Sequence, residues 1–79
     1  MEIIYEDAEV LVAVKPAGVE SEEARGLAPD MVNLVRKHLA WTEKGMPYVG
    51  LIRRLDKPVA GLMLFGKTPA AAAALSKEL

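Results

Sequence analysis

The sequence predicts an α+β fold, a mainly antiparallel or mixed sheet with helices beside it, on three observations. Two apolar runs near the N-terminus are joined by a short polar stretch, as in a β-hairpin. An amphipathic segment beginning near Asp30 repeats its apolar residues at helical spacing. An alanine-rich segment closes the chain behind a further apolar run and a Thr-Pro pair suited to open a helix.

The opening "IIYEDAEVLVAVKPAG" gives strands over Ile3 to Tyr5 and Val10 to Val14, linked by Glu6-Asp7-Ala8-Glu9 and closed by a Pro16-Ala17-Gly18 turn. Every position from Val10 to Val14 is apolar, which predicts cover on both faces of that strand. Residues 19 to 29 are acidic and irregular and read as a solvated loop without direct chemistry. Asp30 can cap the helix that follows, with Val32, Val35 and Leu39 on one face, Met31 and Leu34 behind them, and Lys44-Gly45 as a stop, so the spacing predicts a helix over about 30 to 41. His38, the one histidine, reads as a surface or half-buried residue, and Trp41 as a core edge. Tyr48 to Ile52 is a short extended stretch, Arg53 to Ala60 a charged turn, and Gly61 to Phe65 another strand. Thr68 can cap a final helix whose first turn accepts Pro69 and whose body is Ala70 to Ala74 with Leu75.

With 79 residues the chain is a single small domain or part of one, able to bury roughly 60 to 65% of its unfolded surface. It has no cysteine, so neither a disulfide nor a thiolate zinc site is available, which fits a reducing compartment. No run approaches the roughly 18 apolar residues that cross a bilayer, and no leader pattern opens the chain, so the expectation is a cytoplasmic protein without membrane contact. The net charge is −1 but unevenly placed: residues 1 to 30 carry eight acids and two bases, residues 31 to 79 three acids and eight bases. A polyanion would meet the second part.

Residues 61 to 68, "GLMLFGKT", fit the phosphate-loop pattern letter for letter. The context argues against a nucleotide site. A phosphate loop follows an apolar strand, whereas "RRLDKPVA" precedes Gly61, and the apolar strand lies inside the motif. Placing Leu62, Met63, Leu64 and Phe65 in a polar loop would forgo roughly 1.5 to 3 kcal/mol for each side chain a strand could bury. That is large against a domain stability of about 5 to 15 kcal/mol. Lys67 and Thr68 therefore read as a strand exit and a helix cap.

"RRLDKPVAG" sets Asp56 at the tip of a turn between two apolar segments, where a rigid scaffold directs a side chain that the loop leaves accessible. Aspartate and proline are also ordinary turn residues, so spacing alone does not select catalysis. The run from Arg54 to Thr68, "RLDKPVAGLMLFGKT", closely resembles the signature of the RluA-type RNA pseudouridine synthases, H-R-L-D-x-x-T-S-G-L-L-L-F-A-K-T. The hairpin with its K-P-A-G turn and the alanine-rich last helix are similar to the family as well, in order and spacing, from end to end of the chain.

The resemblance implies an isomerase that converts uridine in structured ribosomal or transfer RNA to its C-glycoside isomer, without metal or organic cofactor. Asp56 matches the essential aspartate, acting either as nucleophile toward sugar or base or by removing a sugar proton. Arg54 matches the arginine that takes part in base flipping, and Arg53 and Lys57, with Lys15 and Lys67, would add positive charge for RNA. Arg53 stands where the family usually has histidine, and Val59-Ala60 replace a threonine-serine pair, removing a ring and a hydroxyl that could orient the loop. Family catalytic domains are longer, so residues 1 to 79 are expected to form one partial domain, the N-terminal portion of a catalytic domain. The tyrosine that packs on uracil and the basic partner of the aspartate belong to later segments, and neither Tyr5 nor Tyr48 takes that tyrosine's place. The chain alone is then expected to be inactive or nearly so, and to self-associate through exposed sheet edges and an apolar face. The alternative reading is a noncatalytic RNA-binding or assembly module that retains the fold.

Overall fold

A computed structural model describes residues 1–22, 30–40 and 47–78 of the chain. Four strands, β1 (Glu2–Glu6), β2 (Val10–Lys15), β3 (Gly50–Leu51) and β4 (Gly61–Gly66), form one antiparallel sheet in the order β1-β2-β4-β3, with helices α1 (Met31–Ala40) and α2 (Pro69–Glu78). This is the α+β arrangement the sequence predicts.

The hairpin between β1 and β2 is set by Asp7, whose Oδ1 accepts hydrogen bonds from the amides of Glu9 and Val10 at 2.8 Å each. The β2–β4 pairing places Leu11 opposite Phe65, Ala13 opposite Met63 and Lys15 opposite Gly61, so these residues share a face of the sheet. Met31, Val35 and Leu39 of α1 complete the core with that face's apolar side chains. On the opposite face Val10, Val12 and Val14 are only half-buried, so the cover expected on both sides of β2 is partial. The reason is the reach of α2, which meets the sheet at its β3–β4 end. There Gly50 and Gly66 face each other, and a Cβ added to Gly66 would come within 2.7 Å of the Ala72 backbone.

Both helices start at the predicted caps: Asp30 Oδ1 accepts from the Asn33 amide at 2.8 Å, and Thr68 Oγ1 from the Ala71 amide at 3.0 Å. The amides of Met31 and Val32 donate to the carbonyls of Glu20 and Ser21, which anchors α1 to the strand-like end of the 19–22 segment. Residues 61–66 lie straight in β4 between β2 and β3, which removes the phosphate-loop reading. His38 is half-buried, as expected, with its Nε2 2.8 Å from Glu6 Oε1, while Lys67 Nζ donates to Glu6 Oε2 at 2.8 Å. The hydrogen bond from Lys67, and after it the single one with His38, hold the Glu6 carboxyl below its ordinary range against the opposing effect of burial. Trp41 and most of the acidic stretch, residues 23–29, lie outside the described residues. Among the described residues no helix is long and apolar enough to cross a membrane.

Candidate active site

The site begins where β2 ends. Lys15 is wholly buried, and its ammonium donates to the carbonyls of Pro16 at 3.2 Å and Lys57 at 2.9 Å. Gly18, at φ 87°, turns the chain so that its own amide donates to the same Lys57 carbonyl at 2.8 Å. A side chain rarely adopts that φ, which is why the K-P-A-G turn ends in glycine. One carbonyl of the Arg53–Ala60 turn thus receives an ammonium and an amide from the hairpin exit.

A second grip lies on the other side of Asp56. Ser21, 1% exposed, accepts a hydrogen bond at Oγ from the Leu55 amide at 2.9 Å and donates to the Leu55 carbonyl at 2.6 Å. Its hydroxyl thereby satisfies both polar groups of a peptide segment whose side chain packs against the core. The Asp56 carbonyl accepts from the Val59 amide at 2.9 Å, closing the turn. Leu55, Asp56 and Lys57 are therefore held by their main chain at three consecutive positions. The Asp56 side chain itself is exposed and makes no hydrogen bond or ion pair among the described residues.

Arg53, Arg54 and Lys57 are exposed on the same turn, so the structure brings all four predicted site residues onto one short segment. Arg54 Nε lies 3.7 Å from Glu22 Oε1 with its side chain 69% exposed, a pair of little energetic weight. Two cations expected to face RNA are turned to the protein instead. Lys15 is buried with its ammonium on main-chain carbonyls, and Lys67 is engaged by Glu6 and the Asp7 carbonyl. Ser21, placed by sequence in a loop without direct chemistry, instead touches the residue next to Asp56. Nothing local marks it, because its partner is 34 residues away.

The sequence pattern of RNA pseudouridylate synthases matches residues 9–79, from the hairpin turn through both grips and the Asp56 turn to the last helix. The chain belongs to the RNA pseudouridylate synthase family. Its relatives include ribosomal large subunit pseudouridine synthase D of Zymomonas mobilis, 35% identical over 82 residues that cover 99% of this chain and 26% of the relative. The enzyme of the same name in Neisseria meningitidis serogroup B is 35% identical over 80 residues, covering 100% and 21%. The dual-specificity RNA pseudouridine synthase RluA of Vibrio vulnificus is 35% identical over 77 residues, covering 98% and 29%. The chain spans between 21% and 29% of the lengths of these three synthases. The resemblance read from residues 54–68 therefore holds at the level of the family.

Proposed function

We propose that this chain carries the catalytic aspartate of an RNA pseudouridine synthase, that Asp56 acts on a uridine of structured ribosomal or transfer RNA, and that Arg54, Arg53 and Lys57 hold that RNA. The observation that supports it is the contrast at the turn: a carboxylate left open while the backbone on both sides of it is fastened. Such fixing of direction without occupation is what a group needs if it is to meet a substrate in a set geometry.

A base inside a helix keeps its glycosidic bond out of reach of a loop carboxylate, so the uridine must be extruded. Arg54, weakly paired and exposed, can then stack on or replace what the base leaves, with its guanidinium on a phosphate. Asp56 serves as nucleophile or takes a sugar proton. In either route the nitrogen–carbon glycosidic bond breaks, and the freed base rejoins the same sugar through carbon, so no atom is gained or lost. RNA as substrate would place the work in the cytoplasm.

The site also needs an opposing wall to exclude water and hold the base. Asp56 meets none among the described residues, so the 79-residue chain alone is expected to give no multiple turnover on uridine-containing RNA. In a longer protein carrying this segment as its first part, D56A should abolish pseudouridine formation while RNA binding persists. Unchanged turnover would refute the role of Asp56. Absent turnover in the unsubstituted longer protein, with RNA still bound, would favour the noncatalytic module.

A further inference from the structure

Leu55 separates Arg54 from Asp56, and both of its main-chain polar groups are held by one side chain. The buried Ser21 hydroxyl accepts from the Leu55 amide at 2.9 Å and donates to the Leu55 carbonyl at 2.6 Å. The Leu55 side chain is seated as well. It packs against the core, and a Cβ added to Gly61 would come within 3.2 Å of its Cδ1, so the absence of a side chain there leaves Leu55 its place.

Ser21 has an anchor of its own. Its carbonyl accepts from the Val32 amide at 3.1 Å, and the Glu20 carbonyl accepts from the Met31 amide at 2.9 Å. Both donors lie in the first turn of α1, whose cap, Asp30, is buried. The hydroxyl is therefore placed by a helix that packs into the core, independently of the turn it grips.

Pinning Leu55 constrains its two neighbours. Arg54 and Asp56 are exposed while Leu55 between them is half-buried, the alternation of an extended segment in which residues two apart point to the same side. Their Cα atoms are then at most about 7 Å apart. A guanidinium that receives the displaced strand and a carboxylate that reacts with its uridine must keep a set spacing, since a displacement of about 1 Å can cost about 100-fold in rate. Neither side chain secures that spacing itself: Arg54 is weakly paired with Glu22, and Asp56 is unpaired among the described residues.

We propose that Ser21 is a positioning residue of the reaction, acting through Leu55 to fix Arg54 and Asp56 relative to each other and to the core. The proposal rests on the RNA-modifying reading above. It assigns to a hydroxyl that touches no substrate a control over turnover beyond its contribution to stability.

The test is steady-state pseudouridine formation in the longer protein that carries this segment, with rates given per folded molecule from circular dichroism. S21A should lower kcat by about 10-fold or more while KM for the RNA changes by less than about 3-fold. S21C fills the same space with a poor hydrogen-bonding group and should do the same, which keeps the test valid if S21A folds poorly. G66A disturbs the packing of α2 at the other end of β4 and should leave kcat within about 2-fold, which separates positioning from general loss of stability. In a double-mutant cycle, R54A should cost at least about 3-fold less in kcat/KM in the S21A background than in the unsubstituted protein, because Arg54 has by then already lost its place beside Asp56. Unchanged kcat in both Ser21 variants, an equal loss in G66A, or losses from S21A and R54A that multiply in full would each overturn the proposal. Turnover that depends on Asp56 but not on Ser21 removes the positioning role alone. Absence of any Asp56-dependent turnover in the unsubstituted longer protein removes the reading beneath it, and the positioning role with it.

Discussion

Ser21 and Asp56 illustrate opposite ways in which one side chain serves a turn. Ser21 is buried and makes both of its strong hydrogen bonds to Leu55, so S21A leaves two main-chain groups without partners. A loss of about 1 to 3 kcal/mol in urea unfolding is expected, with faster hydrogen exchange at the Leu55 amide. Asp56 is exposed and unpaired among the described residues, so D56A should alter stability by less than about 0.5 kcal/mol in the same measurement. A large loss in D56A would mean the carboxylate is structural. Asp56 and Arg54 can be singled out in the sequence because the family resemblance runs through their own letters, and Arg53 and Lys57 only as cations beside them; the roles of all four stand as proposed above. Ser21 and the inward use of Lys15 cannot be singled out there, since each depends on a contact with the 55–57 segment across more than thirty residues, which no local pattern encodes.

Elements were legible for the complementary reason: caps and periodicity are local. Asp30, Thr68 and Pro69 mark helix starts within one residue, and the apolar run in β4 declares a strand whatever motif its letters mimic. How elements dock was not legible. The glycine pair at Gly50 and Gly66 admits Ala72 of α2, so G66A should cost about 1 to 3 kcal/mol by forcing α2 away, seen as a fall in the thermal midpoint by circular dichroism. Glu6 ties β1 to the exit of β4 and to α1 through Lys67 and His38. Its carboxyl titrates below the ordinary value in the folded chain, so the unfolded chain binds that proton more readily. The resulting stability is complete above about pH 4.3, the ordinary glutamate value, and is lost as pH falls through the lower, folded value. E6Q should therefore flatten the acid limb of the stability profile, and an unchanged limb would show that the tie contributes nothing.

At the scale of the whole molecule, the uneven cover of the sheet is expected to drive self-association. Leu62 is 62% exposed on the face that α2 only partly covers, and Ile4 and Tyr5 are exposed along the edge strand β1. Glu2 and Glu6 at the two ends of β1, together with its irregular register, blunt that edge, and β3 is only two residues long. The open face is thus the stronger drive to self-association than the edges, which we expect to appear as a concentration-dependent mass in light scattering and to diminish in L62K. A monomer at high concentration would count against it.

Because the polar contacts that fasten Leu55, Asp56 and Lys57 all run through their amides and carbonyls, and of the three side chains Leu55 packs against the core, the aim of the turn depends little on the side chains at its exposed positions. Such a mount should tolerate change at the exposed positions: R53H and the pair V59T/A60S are expected to leave the Leu55 amide as protected from hydrogen exchange as in the unsubstituted chain. The residues that carry this consequence are therefore Lys15, Gly18 and Ser21, whose loss would release the main chain of the turn even with Asp56 intact.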